Sequence, residues 1–336
     1  MVIEKPEKEV TKEFEKEIEK NSEQLENIRN EVAKLVVGQK KVVNAMLRGI
    51  IASGNILVEG VVGIGKTLLV RTIAATMGCE FSRIQFTPDL LPSDIVGIST
   101  YEKDRGFYVL KGPIFSNFVL GDEINRAPPK VQSALLEGMA EQQVTIGKET
   151  FGLPKPFFVM ATQNPQEQLG TFPLPEAQID RFMFKLSMEY PTIDEEQQIL
   201  MSNINTHTFD SFNLKPIVNS VELIKMQERV KKVYLNEKIE KYIVSLVDAT
   251  RNPNKYNLKL GKYLQWGASP RGSLNLFIGS KAEALIHGKS FVIPQYVKDI
   301  AHDVFRHRLN INYEGQAEGI KSEDIITEIL DKVPLP

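Results

Sequence analysis

The sequence predicts an α/β core, a sheet with helices on both faces, followed by a smaller all-α domain. Three observations carry that expectation. Strand-like and helix-like segments alternate from about Gly38 to Met188. A glycine-rich turn, Gly60 to Thr67, sits between one such strand and the next helix. Beyond Tyr190-Pro191 the apolar residues recur mainly at helical spacing. A chain of 336 residues suits two domains and an additional arm. The predicted bounds are a charged arm over 1–33, the α/β core over 34–191 and the helical domain over 192–336.

In chain order, Phe14, Ile18, Leu25, Ile28, Val32 and Leu35 form a three-four apolar repeat with Asn21 in the vacant slot, which predicts one amphipathic helix docked on the protein's own core. Asn55 to Glu59 is an apolar run ending at a glycine and reads as a buried strand. Leu69, Val70, Ile73, Ala74 and Met77 follow at helical spacing, and Ser82 to Phe86 resumes strand character, completing a βαβ unit. Gly97 to Pro113 and Gln143 to Leu153, the latter turning at Gly147-Lys148, read as inserted β-hairpins. Phe184 to Met188 is the last strand. Thereafter Leu223, Met226, Val230 and Val233 make one helical stripe, and Ile239, Tyr242, Ile243, Leu246 and Val247 another. Ser269-Pro270 and Ile293-Pro294 place prolines where helices start.

Composition narrows the function. Lys and Arg number 41 against 43 Asp and Glu, a net charge of −2, which argues against a protein whose main task is neutralising nucleic-acid phosphate. No apolar run is long enough for a membrane span, and the charged first residues do not resemble a secretory signal. The single cysteine, Cys79, forms no internal disulfide, so a cytoplasmic location is expected. Cys79 lies between an apolar helix and a strand and reads as a small buried hydrophobe rather than a nucleophile. His207, His287, His302 and His307 have no metal-ligand spacing.

Chemistry concentrates in two places. Gly60-Val61-Val62-Gly63-Ile64-Gly65-Lys66-Thr67, with Leu68 next, fits the phosphate-loop pattern after a strand and before a helix. Its glycines let backbone N–H groups crowd around a polyphosphate, and the helix N-terminus adds a positive pole. Lys66 is expected at the β and γ phosphates and the Thr67 hydroxyl on Mg²⁺. Such a site needs a carboxylate at a neighbouring strand end, and Phe118 to Glu123 supplies an apolar run ending in two acids. Asp122 would hold the metal through water. Glu123 would polarise the water that attacks the γ-phosphate, and this second acid favours ATP hydrolysis coupled to mechanical work. The fold class so defined is a P-loop NTPase with a three-layer αβα core, inserted hairpins and an all-α lid.

Arg83 to Asp94 (RIQFTPDLLPSD), Asp122 to Pro129 (DEINRAPP) and Ala161 to Pro165 (ATQNP) closely resemble the MoxR family of AAA+ ATPases, and Pro173 to Gln178 with Asp180-Arg181-Phe182 extends the match. The likeness runs from about Val36 to Pro191 and more loosely through Gly267 to Arg271 as far as His307-Arg308. The resemblance implies that Asn164 is sensor 1, positioning the attacking water or reading the γ-phosphate. It implies that Arg181 is an arginine finger reaching a neighbouring subunit's nucleotide, and that Arg271, in the first turn of a lid helix, is sensor 2. Val37-Gly38-Gln39 matches the adenine-contacting stretch, and Asn125 and Arg126 fall near the expected subunit interface. The hairpins match the family pattern and would face the pore or a partner. Lys148 reads equally as a substrate contact and as a soluble turn residue. Val62 and Gly121 stand where the family commonly has proline and alanine.

The function the sequence favours is Mg²⁺-dependent ATP hydrolysis, with ATP and ADP as nucleotides, by a homo-oligomeric ring, six subunits being the family expectation. The ring would remodel or mature a protein client, metal insertion included, together with a partner bearing a von Willebrand A domain. One alternative is a nucleic-acid motor, disfavoured by the near-neutral charge. Another is a nucleotide-dependent scaffold with little turnover.

Overall fold

The computed structural model describes residues 11–61, 63–104, 106–164, 170–201 and 209–336. Its elements begin with α1 (Lys12–Val32), α2 (Lys40–Ile51), β1 (Ile56–Gly60), α3 (Lys66–Thr76), β2 (Phe81–Gln85) and α4 (Pro92–Val96). Then come β3 (Gly97–Glu102), β4 (Gly106–Lys111), β5 (Phe118–Asp122), α5 (Pro129–Glu141), β6 (Gln143–Ile146), β7 (Glu149–Gly152) and β8 (Phe158–Gln163). The remainder is α6 (Glu176–Ile179), β9 (Phe184–Met188), α7 (Ile193–Met201), α8 (Ser220–Lys232), α9 (Glu237–Arg251), β10 (Leu264–Trp266), α10 (Pro270–Ile286), α11 (Pro294–Phe305), β11 (Asn310–Ile311), α12 (Tyr313–Ala317) and α13 (Ser322–Lys332). Two compact units result. One holds Glu26–Phe182 and Leu186–Lys225, the other the chain through Leu25, Met183–Lys185 and Met226–Pro336.

The first unit is built on a sheet of order β2-β5-β8-β1-β9. The β2/β5, β5/β8 and β8/β1 pairs are parallel, so their connections must cross over through helices. Every residue of β5 is buried, as expected of a parallel strand covered on both faces. Leu57, Phe86, Val119, Leu135, Val159 and Phe182 belong to one core cluster. Gly121 lies inside it, and a Cβ there would stand 2.8 Å from Leu135 Cδ2 and 3.3 Å from Phe86 Cε2. Two antiparallel hairpins interrupt the alternation: β3 with β4 between α4 and β5, and β6 with β7 between α5 and β8. The second turns at Gly147 (φ 65°) and Lys148, as the sequence predicts. Cys79 is half-buried between α3 and β2, and burial pushes its thiol up to about 11, so it stays protonated at neutral pH.

The second unit is mainly helical. Its prolines start α10 and α11 as expected, and the Ser269 hydroxyl caps α10 by accepting from Arg271 N–H at 3.1 Å. In α1 the stripe residues Ile18 and Leu25 are fully buried. Asn21 among them is satisfied rather than exposed: it donates to Gln24 at 2.9 Å and accepts from Arg229 at 3.4 Å. Arg229 also pairs with Glu17 at 2.7 Å. His287 stacks on Tyr296 and pairs with Glu283, and burial lowers the His302 pKa. His207 lies outside the described residues.

Candidate active site

Parallel strands leave their carboxyl ends along one edge, where ligands of α/β sheets bind. Glu59 of β1 pairs with Gln163 of β8, Gly121 of β5 with Ala161, and Gln85 of β2 with Asp122. The phosphate loop, Asn164, Thr162, Asp122 and Glu123 therefore gather along the same edge, although they come from three separate strands.

The phosphate loop leaves β1 at Gly60 and enters α3 at Lys66. Gly63 (φ 85°) and Gly65 (φ 84°) occupy the left-handed region that L side chains rarely adopt. A Cβ at either would meet nothing within 4 Å, so the glycines leave an open cradle. Among the described residues no side chain caps α3 at Gly65, and a helix N-terminus in this place is a site that favours an anion. Gly60 has a different role: a Cβ there would stand 3.0 Å from the Met188 carbonyl. Lys66 is 9 % exposed and donates to the Gly60 carbonyl at 2.8 Å, holding the ammonium on the rim of the loop. Thr67 and Leu68 follow in the first turn, half-buried. Val62 lies outside the described residues.

Asp122 and Glu123 are set by a residue that sequence reasoning had not singled out. The Thr162 hydroxyl, fully buried, donates to Asp122 Oδ1 at 2.7 Å and accepts from the Glu123 N–H at 2.8 Å. Glu123 has φ 57°, unusual for a non-glycine residue and typical of a functional turn held by its surroundings. Its Oε2 accepts from Gln85 at 3.1 Å and from Arg126 at 2.9 Å. Arg83 of β2 pairs with Asp122 at 2.7 Å. Thr162, Gln85 and Arg83 all lie in the motif segments quoted above; only their polarity at the strand ends could have singled them out.

Asn164 is 6 % exposed, immediately beyond β8. Asn125 is buried and accepts the Phe172 N–H on its carbonyl at 2.7 Å. Arg181 follows α6; it is exposed, and its Nη1 donates to the Leu136 carbonyl of α5 at 3.1 Å. Gly38 has φ 71°, and a Cβ there would collide with the Glu195 carboxylate of α7. Gln39 donates to the Glu189 carbonyl at 3.0 Å, so the Val37 to Gln39 stretch lies against the segment after β9. Arg271 belongs to the helical unit, exposed in the first turn of α10.

The residues present fit a magnesium nucleotide. Among the described residues no three His, Cys, Asp or Glu gather into an all-protein metal cage. One buried carboxylate beside a loop that can hold phosphate suits Mg²⁺, which takes one or two carboxylates and completes its shell with phosphate oxygens and water.

Fold and site together define a P-loop NTPase of the AAA+ type with a helical lid. The profile of the ATPase family associated with various cellular activities (AAA) matches residues 55–184, and that of the AAA lid domain matches 261–329. The chaperone MoxR1 of Mycobacterium tuberculosis is 44 % identical over 93 % of this chain and 82 % of its own length. The protein MoxR of Methylorubrum extorquens is 29 % identical over 91 % of this chain and 93 % of its own. A crystallised candidate ATPase from Cytophaga hutchinsonii superposes with a TM-score of 0.89 at 46 % identity, covering 96 % of this chain and 98 % of that one. The chain belongs to the MoxR family of AAA+ ATPases. Among the described residues, no helix is long and apolar enough to cross a membrane.

Proposed function

We propose that this chain is a Mg²⁺-dependent ATPase working as a ring of like protomers, six by family resemblance, that remodels or matures a client protein. One observation supports the reading: at the carboxyl ends of the strands a single hydroxyl, Thr162, holds both the Asp122 carboxylate and the Glu123 backbone N–H, so the two acids that would bind metal and polarise water are set by one residue. Lys66 would move from the Gly60 carbonyl to the β and γ phosphates, and the Gly63 to Lys66 amides would line the phosphate chain. Thr67 and Asp122 would hold Mg²⁺. When bound, the ion would offset the charge on the β- and γ-phosphate oxygens. Glu123 would orient and polarise the attacking water, with Asn164 as its second contact. Arg181, exposed, would reach the nucleotide of the neighbouring protomer, and Arg271 would couple nucleotide to the lid. Val37 and Gly38 would face the adenine.

A relative named as a chaperone supports remodelling as the output. A von Willebrand A domain partner, metal insertion and a cytoplasmic site of action belong to the same reading.

Subunit mixing tests it. Lys66→Ala lacks a productive nucleotide site and Arg181→Ala lacks the finger, so each alone should lose turnover by about three orders of magnitude. Mixed rings would place intact fingers beside intact sites and regain activity. Failure of the mixture to exceed either variant, or full turnover by Arg181→Ala at high dilution, would sink the shared-site mechanism.

A further inference from the structure

Both site carboxylates accept from side chains of β2, in addition to the bonds from Thr162 to Asp122 and from Arg126 to Glu123. Arg83 donates Nε at 3.1 Å and Nη2 at 2.7 Å to the same oxygen, Oδ2 of Asp122. Nη2 also reaches Gln85 Oε1, and Gln85 Nε2 donates to Glu123. The register explains this. Arg83 pairs with Leu120 and Gln85 with Asp122, so the Arg83, Gln85 and Asp122 side chains share one face of the β2/β5 ladder and Arg83 lies diagonal to Asp122, while Glu123 follows just beyond the end of β5.

The pair is asymmetric. The Asp122 side chain is 12 % exposed, and its other oxygen is fixed by buried Thr162. An unpaired carboxylate so placed is costly, so it needs a cation. The Arg83 side chain is 47 % exposed and can swing into water at little cost. Oδ1 therefore keeps its partner while Oδ2 can exchange one cation for another.

We propose that Arg83 is a positioning residue that guards Asp122: it satisfies the carboxylate until a divalent ion arrives with nucleotide and displaces it. Metal loading then depends on nucleotide, because free metal must compete with the guanidinium, whereas nucleotide-bound metal is held by phosphate as well. The inference rests on the assignment of Asp122 as the metal carboxylate. The opposite role, a brace that Asp122 needs in order to bind metal, predicts the opposite sign.

Mn²⁺ binding to the full chain, followed by electron paramagnetic resonance with and without ADP, distinguishes them. Arg83→Gln removes the charge and should lower the half-saturating Mn²⁺ concentration without nucleotide by about threefold, the scale of a partly exposed ion pair. The shift should shrink when ADP is present. Arg83→Lys should stay near the parent, and Arg83→Ala serves as a second neutral variant, with thermal unfolding reporting the fold. An unchanged or raised midpoint in both neutral variants overturns the proposal, as does an Arg83→Lys that shifts as far as they do. In a separate arm Asp122→Asn should abolish Mn²⁺ uptake. If Asp122→Asn still binds Mn²⁺ like the parent, the metal assignment itself fails, whatever happens at Arg83.

Discussion

Replacing Thr162 by valine keeps the shape of a fully buried side chain and removes only its hydroxyl. That hydroxyl makes two bonds, to Asp122 Oδ1 at 2.7 Å and from the Glu123 N–H at 2.8 Å. Loss of a hydrogen bond to a charged acceptor costs about 1.5–3 kcal/mol, and leaving a shielded N–H unpaired about 1–3 kcal/mol. Part is recovered, because Glu123 at φ 57° holds about 1–3 kcal/mol of backbone strain that can relax once the N–H is released. The net destabilisation should be about 2–3 kcal/mol, a fall in Tm of roughly 4–10 °C. Relaxation moves the Glu123 carboxylate, so catalysis should suffer beyond stability. If about half or more of the loss appears in the transition state, kcat falls about tenfold to a hundredfold. The assay is ATP turnover at saturating nucleotide beside thermal unfolding, with Thr162→Ser as the variant that keeps the hydroxyl and most of the activity. Turnover of Thr162→Val within twofold of the parent, or a Thr162→Ser as impaired as Thr162→Val, would refute the claim that this hydroxyl sets both acids.

Gly63→Ala adds a methyl that meets nothing, so its cost is the left-handed backbone, about 1–2 kcal/mol, and the blocked approach to phosphate. Binding of a fluorescent ATP analogue should weaken strongly while the chain still folds; unchanged affinity would contradict the cradle. Gly121→Ala introduces the residue common in the family against a movable Leu135 tip, and its stability should change by no more than about 1 kcal/mol in a denaturant titration, a larger loss meaning that the core cannot yield. Burial, with Arg306 next in effect, lowers the His302 pKa below its ordinary 6.5. The folded state keeps the ring neutral while the unfolded chain protonates, so its contribution is present above pH 6.5 and is lost as pH falls toward the lowered pKa. Tm should drop between pH 7.5 and 5.5, and His302→Asn should flatten that slope; an identical slope would assign it to other groups.

What could be read from the chain is what short stretches of it encode. The phosphate loop is eight consecutive residues, its glycines acting through their backbone and Lys66 and Thr67 through side chains carried by the same short segment, so the pattern is legible without any distant residue. Pro270 and Pro294 start helices because proline has no N–H to lose at that position. The Ile18 and Leu25 stripe announces a buried helix face whatever covers it. The hairpin turn at Gly147 needs only a residue that tolerates positive φ.

The arrangement around the two acids is of another kind. Thr162 lies 40 residues from Asp122, and Arg83 lies 39 from it on the other side. Nothing local states that β5 lies between β2 and β8, or that Gln85 faces Asp122 rather than a residue two positions away. Parallel strands take their order from helical crossovers and their register from core packing over distant residues, here Phe86, Leu135 and Ala161 around Gly121. Local residue patterns therefore name the groups able to handle a triphosphate. Which side chains hold those groups follows from packing, because a hydrogen bond between strands depends on register, and register is a property of the assembled sheet.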